Sequence, residues 1–506
     1  MELKLHYAID PLVRRTRYQV DAYFFVPHTL GIDAESYGRE AFFSDVQAYI
    51  RFKTPTRPLT MLARDDVPGS QLAKVKEALA GGERELLSRE LRMLACLFRA
   101  SIREVTRALE RRLVELDQHE PSPEHVGAIT RGVVELSAEA SRIVGTFRDL
   151  GPRFEHAERP WLRELFEYTD EALSVAVESL LTGLLKVLDR SGLQERLAEA
   201  RAALVAQVVG EQDHRRRRGY LTVLGASRGD GAFIHRQGML KKFVSSVLFL
   251  ELAKEREAQH VAQLIAATAA GAAMLVSTVL AIWSQQVYGI NTFPFVVALV
   301  LGYMLKDRMK DWMRSYFSAK IGRWLYDRSA KIMDPLTGVM VGRCRESFNF
   351  VPAGQVPSLV WRRRHVRAEG AVETEHKRES VMRYVKHITL AGRRIDRQVV
   401  RASDITDIVR FDVSRFLVRM DDRKQRIPIY DPETDSVRTA KLNKRYHVNV
   451  VLVLRAADRN VLQMERYRFV LDKSGLKELQ QDDEEGTVII HAPDRSLLHI
   501  LAAQRA

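Results

Sequence analysis

The segment with the clearest catalytic spacing lies at residues 225–229, where the sequence GASRG follows an apolar run. In α/β-hydrolases this G-x-S-x-G pattern puts a nucleophilic serine on a sharp turn between a strand and a helix. Ser227 would be that nucleophile, and His235 and His260 are the nearest downstream histidines. The preceding residues have helical periodicity, so a glycine-rich loop is the competing interpretation. A serine hydrolase that uses Ser227 is one alternative function.

Neither the histidines nor the cysteines are spaced like the ligands of a metal site. The 14 histidines form no H-E-x-x-H or other tight pattern, and Cys96 and Cys344 have no partner at metal-ligand spacing. A reducing compartment suits two such cysteines. We therefore predict no catalytic residue, no metal and no cofactor, and we expect a protein that is not an enzyme.

One long segment carries no ionisable side chain. Residues 261–305 contain no Asp, Glu, Lys, Arg or His, although 28% of the chain is charged. A helix that crosses a bilayer needs about 20 apolar residues, so this segment fits two helices joined by a turn. We predict transmembrane helices at 261–283 and 293–305. Both flanks are basic and the turn is uncharged, which predicts that both ends of the hairpin face the cytosol.

The turn of this predicted hairpin has a sequence that other membrane proteins share. Tyr288-Gly289-Ile290-Asn291 is similar to the Tyr-Gly-Met-Asn motif of CorA-type divalent-cation channels, which also lies between two membrane helices. The resemblance implies that Gly289 and Asn291 line a pore entrance. The chain departs from that family because about 200 residues follow the second predicted span. A divalent-cation channel or transporter is the second alternative function.

The remaining sequence predicts the elements around this hairpin. Residues 1–70 include an alternating stretch at 18–26 and indicate a small mixed α/β unit. Residues 71–260 have leucines at steps of three and four, typical of a helical bundle or coiled-coil stalk. Residues 306–335 predict a basic amphipathic helix, and residues 336–506 alternate as antiparallel strands do. The predicted fold class is an integral membrane helical hairpin of two transmembrane helices, with a mostly α-helical N-terminal part and a β-rich C-terminal domain.

The net charge of +14 points to an anionic partner, and most of it falls after residue 305. Anionic lipid headgroups or an acidic protein would complement this region, whereas nucleic acid is not an expected partner. We expect a membrane-anchored, cytosol-facing scaffold or sensor that forms homo-oligomers through its helical bundle and uses its basic C-terminal domain. The predicted location is a bacterial inner (plasma) membrane, multi-pass, with both termini cytoplasmic.

Overall fold

A computed structural model gives the architecture of most of the chain. The described residues are 2–9, 13–64, 70–117, 122–155, 159–221, 230–255, 257–289, 292–321, 326–365, 379–392, 404–421, 424–456, 461–483 and 486–491. The chain splits into two compact units. The sheet unit comprises Met1–Arg51, Leu250–Val400 and Asp404–Ala506, and the helical unit comprises Phe52–Phe249 and Arg401–Ser403.

Twelve strands form one sheet in the sheet unit, and two more form a separate hairpin. The strands are β1 (Glu2–Ala8), β2 (Thr16–Pro27), β3 (Val46–Phe52), β4 (Phe249–Glu255), β5 (Arg328–Met333), β6 (Met340–Val351), β7 (Glu379–Leu390), β8 (Asp404–Phe411), β9 (Lys424–Asp431), β10 (Ser436–Asn443), β11 (Tyr446–Ala456), β12 (Val461–Asp472), β13 (Gly475–Asp483) and β14 (Gly486–His491). The order in the sheet is β1-β8-β3-β4-β5-β6-β7-β2-β11-β12-β13-β14, and β9 pairs with β10.

The two faces of this sheet bury different side chains, because successive residues of a strand point to opposite faces. On the core face, Phe42 of helix α1 (Arg39–Asp45) stacks on Phe348 of β6, with ring centroids 3.9 Å apart. On the opposite face, Tyr23 and Phe25 of β2 belong to an apolar cluster that helix α12 (Ser358–His365) covers. The central strands are therefore covered on both faces along part of their length.

The core face also encloses a charged pair. Lys386 Nζ lies 2.8 Å from Asp407 Oδ2, and both side chains are fully buried. Tyr7 donates a hydrogen bond to Asp407, and Tyr384 donates one to Glu346. Burial disfavours the lysine charge, but the Asp407 carboxylate raises the pKa of Lys386 overall. Burial raises the pKa of the Asp407 carboxyl, although Lys386 and Tyr7 oppose this shift. The buried lysine charge thus has the carboxyl partner that such a position requires.

The helical unit is a bundle built on amphipathic helices. Its helices are α2 (Leu59–Ala63), α3 (Gln71–Gly81), α4 (Arg84–Asp117), α5 (Pro123–Arg148), α6 (Gly151–Glu155), α7 (Pro160–Arg190), α8 (Ala198–Arg218) and α9 (Asp230–Ser245). The predicted leucine stripe lies on α4, where Leu87, Leu91 and Leu94 are fully buried. Ser70 caps α3 by accepting a hydrogen bond from the Ala73 amide. Helices α4, α5, α7 and α8 pack against one another.

The predicted fold class is wrong in its membrane part. The uncharged segment forms α10 (Glu257–Tyr288) and the first part of α11 (Phe293–Ile321), and the two helices pack together. Among the described residues, only Ala266–Tyr288 is long and apolar enough to cross a membrane. The second helix does not qualify because only its first part is uncharged, while its second half carries charges such as Lys306 and Asp307.

The predicted location is corrected for the same reason. One candidate helix, mostly exposed, does not support a multi-pass protein of a bacterial inner membrane with both termini cytoplasmic. The positive-inside rule needs two spans to return the chain to one side of the membrane, and the described part of the chain has one candidate span.

The predicted separation of a helical N-terminal part from a β-rich C-terminal domain is also wrong. Strands β1, β2, β3 and β4 come from the first half of the chain and join the later strands in a single sheet. The segment predicted as a basic helix at 306–335 instead contains the end of α11 and strand β5. Sequence periodicity describes single elements, whereas strand pairing across hundreds of residues depends on tertiary packing.

Candidate anion-binding groove

A basic groove lies on the face of the sheet opposite the core, along β2, β6 and β7. Its volume is about 790 Å³. The lining residues are Arg14, Arg15, Arg17, Tyr326, Met340, Gly342, Arg343, Arg345, His387, Thr389, Leu390 and Ala391. Five arginines and a histidine thus surround one depression, which we call the basic groove.

Strand register brings these side chains together. Arg345 of β6 pairs with His387 of β7, and Arg343 pairs with Thr389. Arg17 of β2 pairs with Thr389 from the other side of β7. Paired residues of neighbouring antiparallel strands point to the same face of the sheet. Two adjacent rows of side chains therefore cross the strands, one with Arg345 and His387 and the other with Arg343, Thr389 and Arg17. The sheet order, rather than proximity in sequence, creates the groove.

Gly342 allows the strands to approach closely beside this groove. A Cβ atom at this position would lie 2.6 Å from the carbonyl oxygen of Thr389 and 3.1 Å from a side-chain atom of Leu390. Real Cβ atoms do not approach backbone oxygens so closely, and backbone cannot move aside as a flexible side chain can. The glycine therefore has a steric role in the groove floor.

The carboxylates near the groove are already engaged. Glu255 at the end of β4 lies 3.2 Å from both Arg343 and Lys331, and Ser329 donates a 2.9 Å hydrogen bond to it. Burial works to raise the pKa of Glu255, but these three partners lower it overall. Glu255 is therefore ionised at neutral pH and offsets a single positive charge.

Asp21 of β2 is engaged in the same way. Its carboxylate lies 2.7 Å from Arg383 and 3.8 Å from Arg455. The described residues that line the groove include no Asp or Glu at all. Among the described residues that line the groove, the basic side chains therefore have no acidic neighbour within the lining itself.

Two aromatic rings form one part of the lining. Tyr326 and His387 have ring centroids 5.3 Å apart in an edge-to-face arrangement, and the Arg345 guanidinium lies 5.3 Å from the Tyr326 ring centroid. Burial and the neighbouring Arg383 and Arg345 lower the pKa of His387, against the opposing effect of Asp21. His387 is therefore neutral at neutral pH, with one ring nitrogen to donate and one to accept.

A second concentration of arginines lies inside the helical unit, and there each has an acidic partner. Arg148 binds Asp170 at 2.8 Å and Glu211 at 2.7 Å. His214 Nε2 lies 2.7 Å from the other Asp170 oxygen, and Tyr220 donates a 3.3 Å hydrogen bond to it. Arg215 pairs with Glu178, and Arg236 pairs with Glu171 at 2.5 Å. These pairs join α5, α7, α8 and α9, and we call them the bundle network.

The residues singled out by sequence do not meet in either region. Ser227 and Asn291 lie outside the described residues. His235 is exposed on α9, and Gly289 follows α10 with a φ of 73°. Cys96 and Cys344 are buried, and the Cys96 thiol donates a hydrogen bond to the Val244 carbonyl. No group of three or more metal-ligating side chains occurs among the described residues.

Sequence reasoning missed the groove residues. Arg343 and Arg345 alternate along one strand, and this was the available signal. That signal does not identify β2 as a neighbour, because Arg17 is more than 300 residues away in the chain. Comparison with protein family models, curated proteins and solved structures gave no match.

Proposed function

We propose that this chain is a binding protein of the sensor type whose sheet unit recognises a phosphate-bearing anion in the basic groove. The observation that carries the proposal is the lining, in which five arginines and a histidine occur without a carboxylate among the described residues. Such an arrangement favours a ligand that brings its own negative charge.

The residue types favour phosphate among anions. A guanidinium presents parallel N–H donors that match two oxygens of a phosphate, and such charge-assisted pairs are stronger than neutral hydrogen bonds. The Thr389 hydroxyl and the His387 ring can add further hydrogen bonds from the groove wall. A groove of about 790 Å³ is larger than one phosphate needs and falls in the range of small-ligand sites.

A soluble ester and a lipid headgroup both carry such a phosphate. The headgroup is favoured because groove residues are close in sequence to the apolar helices α10 and α11. Glu255, which contacts Arg343, lies two residues before α10, and Tyr326 follows α11 by five residues. Helix α10 exposes large apolar side chains, among them Leu275, Ile282 and Trp283. Apolar surface of this kind is stabilised by contact with lipid.

The other functional expectations stay predictions. They are assembly as a homo-oligomer or scaffold, an acidic protein partner, a divalent-cation channel that depends on Asn291, and a serine hydrolase that depends on Ser227. None of these is needed for the groove to bind an anion.

The experiment compares a soluble and a lipid phosphate on the full-length protein. Pyrophosphate binding is measured by calorimetry, and lipid binding is measured by flotation with phosphatidylcholine vesicles that contain or lack phosphatidic acid. The test variant is Arg17→Gln with Arg345→Gln. The control is Arg362→Gln, which removes one charge from an exposed position on α12 outside the groove.

The proposal predicts that wild type and control bind both probes and that the double variant loses most of this binding. Loss of a charge-assisted hydrogen bond costs about 1.5–3 kcal/mol, or roughly tenfold or more in affinity. Binding of pyrophosphate without phosphatidic acid would identify a soluble ester as the source. Equal binding by the double variant, or no binding by wild type, would contradict an anion site in the groove.

A further inference from the structure

His387 is the histidine of the groove lining. It is half-buried on β7, its ring packs on Tyr326, and Arg345 is its partner across the strand pair. Thr389, two residues further along the same face, also lines the groove. A ligand that fills this groove therefore lies beside the imidazole.

The charged groups around His387 come from three strands and are mostly positive. They are Arg17 and Asp21 of β2, Arg343 and Arg345 of β6, and Arg383 of β7. Asp21 is the one carboxylate among them, and it is paired with Arg383 and Arg455. An imidazolium would thus add a positive charge to an already positive groove, and the lowered pKa of His387 agrees with this geometry.

We propose that the groove takes up a proton at His387 when it binds a doubly charged anion, so that anion affinity rises as pH falls. This inference rests on the proposed function. The anion supplies the negative charge that the imidazolium lacks in the empty groove, and the proton comes from solvent. Linkage then requires that protonation and anion binding favour each other by the same factor.

The expected dependence has a defined direction and size. At pH values above the His387 pKa of the anion-bound protein, both states hold a neutral ring and pH has no effect through this residue. Between the pKa values of the free and the bound protein, uptake of one proton increases affinity by up to about tenfold per pH unit. Below both values the dependence disappears again.

The probe is sulfate, because it keeps its double charge over the range in which histidine titrates, whereas phosphate does not. Sulfate affinity is measured by calorimetry across that range for wild type, His387→Gln and His235→Gln. His235 is the matched control because it is an exposed histidine on α9 in the helical unit. Histidine NMR of wild type, with and without saturating sulfate, measures the pKa of His387 directly.

The proposal predicts a pH-dependent sulfate affinity in wild type and His235→Gln, no such dependence in His387→Gln, and a raised His387 pKa in the complex. The same pH dependence in His387→Gln, or an unchanged His387 pKa at saturation, would overturn the proton linkage while leaving the anion site intact. If His387→Gln does not bind sulfate, the proton linkage is tested by the His387 pKa that NMR measures in wild type with and without sulfate. Absence of sulfate and pyrophosphate binding at every pH would overturn the proposed function itself.

Discussion

The bundle network and the basic groove both concentrate arginines, but they differ in the carboxylates that accompany them. In the bundle network each of Arg148, Arg215 and Arg236 lies against a buried or half-buried Asp or Glu from another helix. In the groove no lining residue among those described is acidic. Buried ion pairs join the helices of the bundle, whereas a depression lined by basic side chains favours an external anion.

The largest expected effect on stability comes from removing a carboxylate from the bundle network. Asp170→Ala removes a fully buried carboxylate and leaves Arg148, His214 and Tyr220 without it. Breaking such a buried pair costs about 3–5 kcal/mol, so we expect a loss of that order in the free energy of unfolding. Urea unfolding followed by helical circular dichroism measures it. Asp213→Ala, which breaks an exposed pair with Arg216, is the control and should change stability far less.

A smaller loss of stability is expected in the groove floor. Gly342→Ala forces a methyl group against the Thr389 carbonyl, and overpacking of this kind costs about 1–3 kcal/mol. The added methyl group should also push β6 away from β7, and this displacement should weaken pyrophosphate binding in the groove. Gly354→Ala is the control, because a Cβ there meets no atom within 4 Å. Equal stability of the two variants would show that the strands can separate without cost.

The bundle network should also make stability depend on acid. Burial works to raise the pKa of Asp170, but the hydrogen bond from His214 and the contact with Arg148 lower it overall. This stabilisation is complete above the unfolded value of about 4 and is lost as pH falls through the folded pKa. Urea midpoints measured across the acid range should therefore fall less steeply in Asp170→Asn than in wild type. A parallel decline in both proteins would assign the acid sensitivity to other groups.

The smallest expected effect is on the stability of the groove variants. Arg345→Gln removes a half-buried cation that lies over the Tyr326 ring, so the free energy of unfolding should fall by about 0.5–1 kcal/mol. Thermal unfolding of the full-length protein checks this. A loss as large as that of Asp170→Ala would mean that Arg345 holds the sheet together rather than serving a ligand.

Single elements could be predicted from the sequence, because their periodicity is local. The alternation at 18–26 predicts β2, and the leucine stripe predicts α4. The alternation over residues 336–506 predicts antiparallel strands, and β11 and β12 form such a pair.

The groove and the topology could not be predicted, because they depend on which strands become neighbours. β2 lies between β7 and β11, which follow it by more than 300 residues, and only this order brings Arg17 near Arg343. The two-span hairpin failed for a different reason. The uncharged run at 261–305 is long enough for two spans, but α11 continues without interruption from its uncharged part into charged residues.

The measurement that tests the central claim most directly is calorimetric titration of pyrophosphate into Arg345→Gln and Arg362→Gln, side by side with wild type. The two variants lose the same charge, but only Arg345 lines the groove. We predict that affinity falls by about tenfold or more in Arg345→Gln and is unchanged in Arg362→Gln. An equal fall in both variants would show that the overall charge of the protein, and not the groove, holds the anion.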